Sequence, residues 1–231
     1  NSFLMIGGDR PNCIIAKKLI EGAETRGEIA WHYSMSRENP AKTTFVLRGE
    51  EIEVTKSPVR ANSKVREKTY GRGDFSVTWK LDSEPKLTLS GEKLRIRLAR
   101  LAYYSEWPVF WKVLEDFLRW SCEKWKQDAN SLSGQALDAI LINAVIPENT
   151  DEASFALFDL EWSLATPMPK HWFVFRNIYA LFRDAKFFAP DCGSANFAAM
   201  YERLCQVVGV APVLDESLKL EAQFQVLATG Q

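Results

Sequence analysis

Four polar side chains stand in the most apolar stretch of the chain. Asp138 and Asn143 belong to LDAILINAVI, and Asp159 and Glu161 to FALFDLEW. A carboxylate or amide set among Ile, Leu, Val and Phe costs free energy unless it finds a partner, so chemistry is sought here first. The residue types and their order suit phosphoryl transfer. A carboxylate at Asp138 can orient or deprotonate an attacking hydroxyl. The amide oxygen of Asn143 and the carboxylate of Asp159 can share a Mg2+ ion, which takes oxygen ligands. Glu161, two residues after Asp159, falls on the same side if the segment is a strand, and can then hold a second cation or a water. Little else is asked of the protein at such a centre beyond alignment and neutralised charge.

Each of these residues also has an ordinary structural use. Asp138 can cap a turn or helix and Asn143 can sit in a turn. Asp159 and Glu161 can pair with Lys170 or Arg176. Arg176, in HWFVFRN, lies on a largely apolar helix where an arginine needs a carboxylate, and it is expected to anchor the Asp159/Glu161 strand. His171 reads as structural or exposed. His32, between Trp31 and Tyr33, could line a sugar pocket.

The elements that must position these groups change character along the chain. NSFLMIGGD reads as a strand ending in a glycine turn, and residues 11–25 as a short helix. TTFVLRGEEIEVTKSPV reads as a hairpin turning at Gly49. Strand-like sequence continues through 74–81, 86–89 and GEKLRIRLARL from Gly91. Pro108 then opens a helix over about 108–127, with Trp, Phe, Leu and Val at helical spacing. That stripe is core packing, because the spacing alone explains it. A polar stretch, 147–154, separates the two acidic runs and suits a turn. A helix begins near Trp172, and 196–208 and 218–227 read as amphipathic helices. The fold class is α+β, with a β-rich N-terminal lobe over 1–104 and a mainly helical C-terminal lobe over 105–231 carrying the site.

Bulk properties narrow the function classes. At 231 residues and 46% apolar composition the chain can bury a sizeable core. A net charge of -1 offers no global attraction to nucleic acid or anionic lipid, and the Lys93, Arg95, Arg97 and Arg100 stripe reads as a solvated face. The four cysteines, Cys13, Cys122, Cys192 and Cys205, show no CxxC, which points to reduced thiols and a cytoplasmic setting. Two histidines do not make a histidine metal centre. No apolar run is long enough to span a bilayer. The first residue is Asn, so a processed product or part of a longer protein is expected.

An Asp, four residues, an Asn, and later an Asp within an apolar-Asp-apolar-Glu-aromatic run (Phe158 to Trp162) resembles the catalytic core of the protein-kinase-like superfamily, nearest the aminoglycoside and choline kinases. The resemblance implies a kinase-like fold, ATP and Mg2+ as cofactors, and a sugar or other small-molecule hydroxyl as acceptor. It implies Asp138 as catalytic base, Asn143 and Asp159 as metal ligands with Glu161 beside them, and a nucleotide-binding lysine at Lys56 or, alternatively, Lys80. Glu67 would pair with that lysine. A broader likeness, in NSFLMIGG, IAWHYS and FDLEWSLATPMPKHWFVFRNIYALF, is to the C-terminal region of bacterial polysaccharide-modifying methyltransferase or glycosyltransferase proteins. It implies an upstream enzymatic domain. Two features favour a non-catalytic accessory or glycan-binding module instead. Ala136 stands where the kinase pattern has His, and LRGEEI is not a glycine-rich phosphate loop.

Overall fold

The computed structural model describes residues 28–34, 40–48, 51–59, 65–72, 75–81, 86–87, 91–147, 154–183 and 197–229. These fall into two compact units, one within Asn1–Glu67 and Lys80–Thr88, the other within Lys68–Trp79 and Leu89–Gln231. The fold is mixed α+β, with small antiparallel sheets and several helices. The expected strand at the N-terminus and the helix over 11–25 lie outside the described residues.

The first unit is a meander. β1 (Glu28–Ser34) pairs with β2 (Ala41–Arg48), which pairs with β3 (Glu51–Pro58), all antiparallel. The β2–β3 register runs from Ala41↔Pro58 to Arg48↔Glu51, as the alternation on either side of Gly49 predicts. β4 (Glu67–Arg72) and β5 (Phe75–Lys80) belong to the second unit except at their ends, Glu67 and Lys80. β6 (Lys86–Leu87) then pairs with β3, giving the order β1-β2-β3-β6.

The second unit therefore starts earlier than residue 105. It takes in β4, β5, β7 (Gly91–Lys93) and α1 (Leu94–Tyr103), none of which the sequence placed with the helical lobe. α1 corrects the strand reading of KLRIRLARL, of which only Gly91–Lys93 is extended. Leu94, Leu98, Leu101 and Ala102 are buried at intervals of four, three and one, a helical face and not an alternating one. Arg97 and Arg100 both reach Glu92, at 3.6 and 3.0 Å, which holds the stripe on the surface of its own segment.

α2 (Trp107–Lys124) begins with proline in its first turn, where the missing N–H is no loss, and buries Phe110, Leu114, Phe117, Leu118 and Cys122. Two 3-10 turns follow β8 (Ser131–Leu132), at Gly134–Asp138 and Leu141–Asn143, and lead into β9 (Ala144–Pro147). β9 forms a hairpin with β10 (Ala156–Leu157), as the polar stretch between them predicts, and β7 pairs on its other side. β11 (Trp162–Leu164) adds to β5 and β4, and β12 (Met168–Pro169) pairs with β8.

α3 (Lys170–Arg183) is the axis of this unit. Every residue from Trp172 to Ile178 is buried, and a helix apolar on nearly all sides must be enclosed by others. α4 (Phe197–Val207) and α5 (Leu214–Thr229) pack on it, matching the two amphipathic segments read near the C-terminus. None of the described helices is long and apolar enough to cross a membrane.

Candidate functional site

The site is built around the turn that carries Asp138. Gly134 opens it because β11 passes close by: a Cβ there would lie 2.2 Å from the Leu164 carbonyl oxygen. Ser133 caps the turn, its Oγ accepting from the Gln135 N–H at 3.4 Å. α3 then fixes the loop from beneath with two adjacent polar residues. Arg176 Nε donates to the Leu137 carbonyl at 3.1 Å, and Asn177 Oδ1 accepts from the Leu141 N–H at 2.9 Å. Asn177 Nδ2 closes back on the Phe173 carbonyl at 2.9 Å, which fixes the amide's orientation.

Three of the sequence candidates meet at one junction. Asp138 Oδ2 accepts from the Glu161 and Trp162 N–H groups at 2.9 and 3.2 Å. Asn143 Nδ2 donates to the Asp138 carbonyl at 3.0 Å, and the Asn143 carbonyl accepts from the Phe158 N–H at 2.9 Å. The segment 158–161 is thus gripped at both ends, by Asn143 and by Asp138. Between the grips, Asp159 is exposed and adopts φ +60, with its carbonyl accepting from the Glu161 N–H at 3.1 Å. A left-handed conformation is uncommon for a non-glycine residue and persists only where its surroundings impose it.

That turn separates Asp159 from Glu161. The same-side arrangement expected of a strand fails because β11 starts only at Trp162. Asp159 faces solvent, whereas Glu161 is buried and accepts from the indole N–H of Trp79 at 3.2 Å. Arg176 is likewise not bound to either residue. Its Nη1 pairs with both oxygens of Glu221 on α5 at 3.0 Å, its guanidinium lies 4.2 Å from the centre of the Phe224 ring, and its hydrogen bond to the site goes to the Leu137 carbonyl. Lys170 goes to the Ala129 carbonyl at 2.7 Å.

Asp138 is itself nearly enclosed, at 8% exposure. Burial pushes its carboxyl pKa above the ordinary value; the charge of Arg176 and the two N–H donors oppose that rise, and Glu161 adds to it. Only Oδ2 takes these donors, and Oδ1 has no protein donor among the described residues. Asn143 thus directs its amide nitrogen at the Asp138 carbonyl.

The lysines belong to the first unit. Lys56 stands opposite Thr43 on β3, and Lys80 is exposed at the end of β5, as is Glu67 at the start of β4. His32 pairs with Thr43 across β1 and β2, and the sugar-pocket reading rests on a side chain outside the described part. Among the described residues no three His, Cys, Asp or Glu side chains gather to hold a metal ion. Cys122 and Cys205 are buried free thiols whose pKa burial raises to about 11, so neither is a ready nucleophile.

Three participants escaped the sequence reading. Asn177 follows Arg176 on the apolar helix, and that doubled polarity was a usable signal. Trp79 and Glu221 had none, since VTWK and KLEAQF look like ordinary strand and helix sequence. No family model, curated protein or solved structure matches the chain.

Proposed function

We propose that the 134–162 region is the chemical centre of a phosphotransferase that moves a phosphoryl group from ATP to a hydroxyl of a sugar or other small molecule. One observation carries this reading: Asp138 and Asn143 jointly grip the turn that displays Asp159, so base and ligand positions far apart in sequence share a junction. In this reading Asp138, held by Oδ2, takes the acceptor's proton on Oδ1. Burial raises its pKa, the direction that makes a carboxylate a stronger base. Asn143 Oδ1 and the Asp159 carboxylate hold Mg2+, a cation that keeps several waters and phosphate oxygens and needs only one or two protein carboxylates. When bound, the ion supplies neutralisation of the phosphate charge. Arg176 and Asn177 hold the turn in place from α3.

A second reading, a non-catalytic accessory or glycan-binding module, draws on the same carboxylate. Asp138 satisfies two backbone donors, a role sufficient to account for its presence. Calorimetry with ATP and Mg2+ separates the two. The phosphotransferase reading predicts saturable binding below about 1 mM nucleotide, the upper end of ordinary substrate constants. Asp159→Asn is expected to weaken the Mg2+-dependent part of that binding. Absence of heat at millimolar nucleotide, with the chain folded by circular dichroism, would sink the phosphotransferase and leave the binding module.

A further inference from the structure

α1 has apolar residues on two faces. The inner one, Leu94, Leu98, Leu101 and Ala102, is buried in the core of the second unit. The outer one departs from the polar face that a surface helix ordinarily shows to water. Ile96 and Tyr103, seven residues apart and so on one side of the helix, are 56% and 72% exposed. Tyr104 follows at 64% exposure, its ring set edge-on to that of Tyr103 with centres 5.1 Å apart. Arg100, four residues after Ile96, and Lys93, three before it, are exposed on the same side. The way the helix stops fixes the backbone under the two tyrosines. The Ser105 N–H donates to the Ala102 carbonyl at 3.0 Å and the Glu106 N–H to the Leu101 carbonyl at 2.8 Å, the paired bonds of a Schellman end. Ser105 takes φ +57 in the position that glycine usually fills, a conformation that persists only where its surroundings impose it.

The charge of this segment has one sign. From Lys93 to Ser105 there are four cations, Lys93, Arg95, Arg97 and Arg100, and no acid. Glu92, just before them, is shared by Arg97 at 3.6 Å and Arg100 at 3.0 Å and offsets part of that charge. The next acid, Glu106, lies beyond the helix stop. Charges farther off than about 8 Å are screened at physiological salt, so this local surplus, and not the net charge of -1, sets what the face attracts.

We infer that the outer face of α1 docks the protein on an anionic lipid surface, with Ile96, Tyr103 and Tyr104 entering the headgroup boundary and the flanking cations meeting acidic headgroups. Apolar area and basic charge together are what hold an interfacial helix. Tyrosine suits that boundary because its ring is apolar and its hydroxyl is not. Other anionic partners would draw on the same arginines and lysine, but they leave the rest of the face unused. An acidic peptide or a nucleic acid gives Ile96, on the outward ridge, no apolar medium to enter. Single-stranded nucleic acid is held by bases stacked on aromatic faces, and the edge-on tyrosine pair presents no two parallel ring faces for successive bases. The inference stands apart from the phosphotransferase reading and needs no nucleotide.

Co-sedimentation of the whole chain with vesicles tests the docking, phosphatidylcholine alone being compared with phosphatidylcholine carrying about one-third phosphatidylserine. The chain is expected on the mixed vesicles at about 0.1 M salt, and its binding should weaken about tenfold or more at about 1 M, where the Debye length shrinks from about 10 to about 3 Å. Lys93→Gln and Arg100→Gln should each weaken it about fivefold, the share of one cation at an anionic surface. Ile96→Ser should cost roughly fivefold to tenfold, the transfer of the half of the side chain that faces water. Tyr103→Ser, at a still more exposed position, supplies the same check if the Ile96 variant fails to fold by circular dichroism. Mixed vesicles left unbound at low salt, equal binding to phosphatidylcholine alone, or binding undiminished in Ile96→Ser and Tyr103→Ser would overturn the inference. A single-stranded oligonucleotide or polyglutamate bound more tightly than the mixed vesicles would overturn it in favour of that polymer.

Discussion

Replacing Glu221 by alanine is expected to cost the second unit about 3–5 kcal/mol, the range for removing one partner of a buried ion pair. The pair is 3.0 Å apart with both side chains about 95% enclosed, so Arg176 would be left charged and unmatched in the core. The damage extends past the pair. Trp172 loses the acceptor of its indole N–H, and Gln225 Nε2 loses a partner at 2.7 Å. Glu221→Gln keeps an acceptor for the indole and for Arg176, and should fall between the native chain and the alanine variant. Urea unfolding followed by tryptophan fluorescence ranks the three, with the midpoint moving and the slope unchanged if the native state stays compact. A loss below about 1 kcal/mol in the alanine variant, the size of an exposed pair, would mean that Arg176 finds another anion or water in the unfolded or relaxed state.

Local pattern explains what was legible in the sequence. Pro108 and the Trp, Phe and Leu spacing after it specified α2, the alternation flanking Gly49 specified the β2–β3 pairing, and the C-terminal periodicity specified α4 and α5. Each rests on residues within a few positions of one another. KLRIRLARL failed for the same reason. Over nine residues its charges alternate well enough for a strand, and only burial of Leu94, Leu98 and Leu101 on one face selects the helix.

That the two polar runs come together was legible in the sequence; how they are bonded was not. Asp138, Asn143 and Asp159 do share a junction, but the bonds that make it run to backbone groups, which no residue type announces. The positive φ of Asp159 sits on a residue other than glycine, so nothing forecast that Asp159 and Glu161 would part. Arg176 needed a carboxylate, as its apolar helix implied, yet the partner lies 45 residues on in α5 and not in the nearby FDLEW. Long-range pairing of buried charges is set by packing, and one chain read alone does not specify it.

The sharpest separation of structure from chemistry comes at Asp138. Asp138→Ala removes the side-chain acceptor of the Glu161 and Trp162 N–H groups; Glu161 keeps the Asp159 carbonyl, so the Trp162 donor is the one orphaned, and a loss of about 1–3 kcal/mol is expected. Asp138→Asn differs in kind. Its amide oxygen can accept the same two bonds, and it has no charge to desolvate. Because burial raises the folded pKa of Asp138 above its unfolded value, the native aspartate is most favourable below the unfolded pKa, and that advantage is lost as pH rises through the folded pKa. At neutral pH the asparagine variant escapes this loss and should be at least as stable as the native chain, while at about pH 3 the two should converge or reverse. Thermal denaturation across that range measures the crossing. On the phosphotransferase reading, the same variant cannot take a proton from an acceptor hydroxyl, so it should bind ATP and Mg2+ undiminished and transfer nothing. An asparagine variant that is both less stable at neutral pH and unable to bind nucleotide would show that the charge itself organises the turn, and Asp138 would then be part of the frame and not the base.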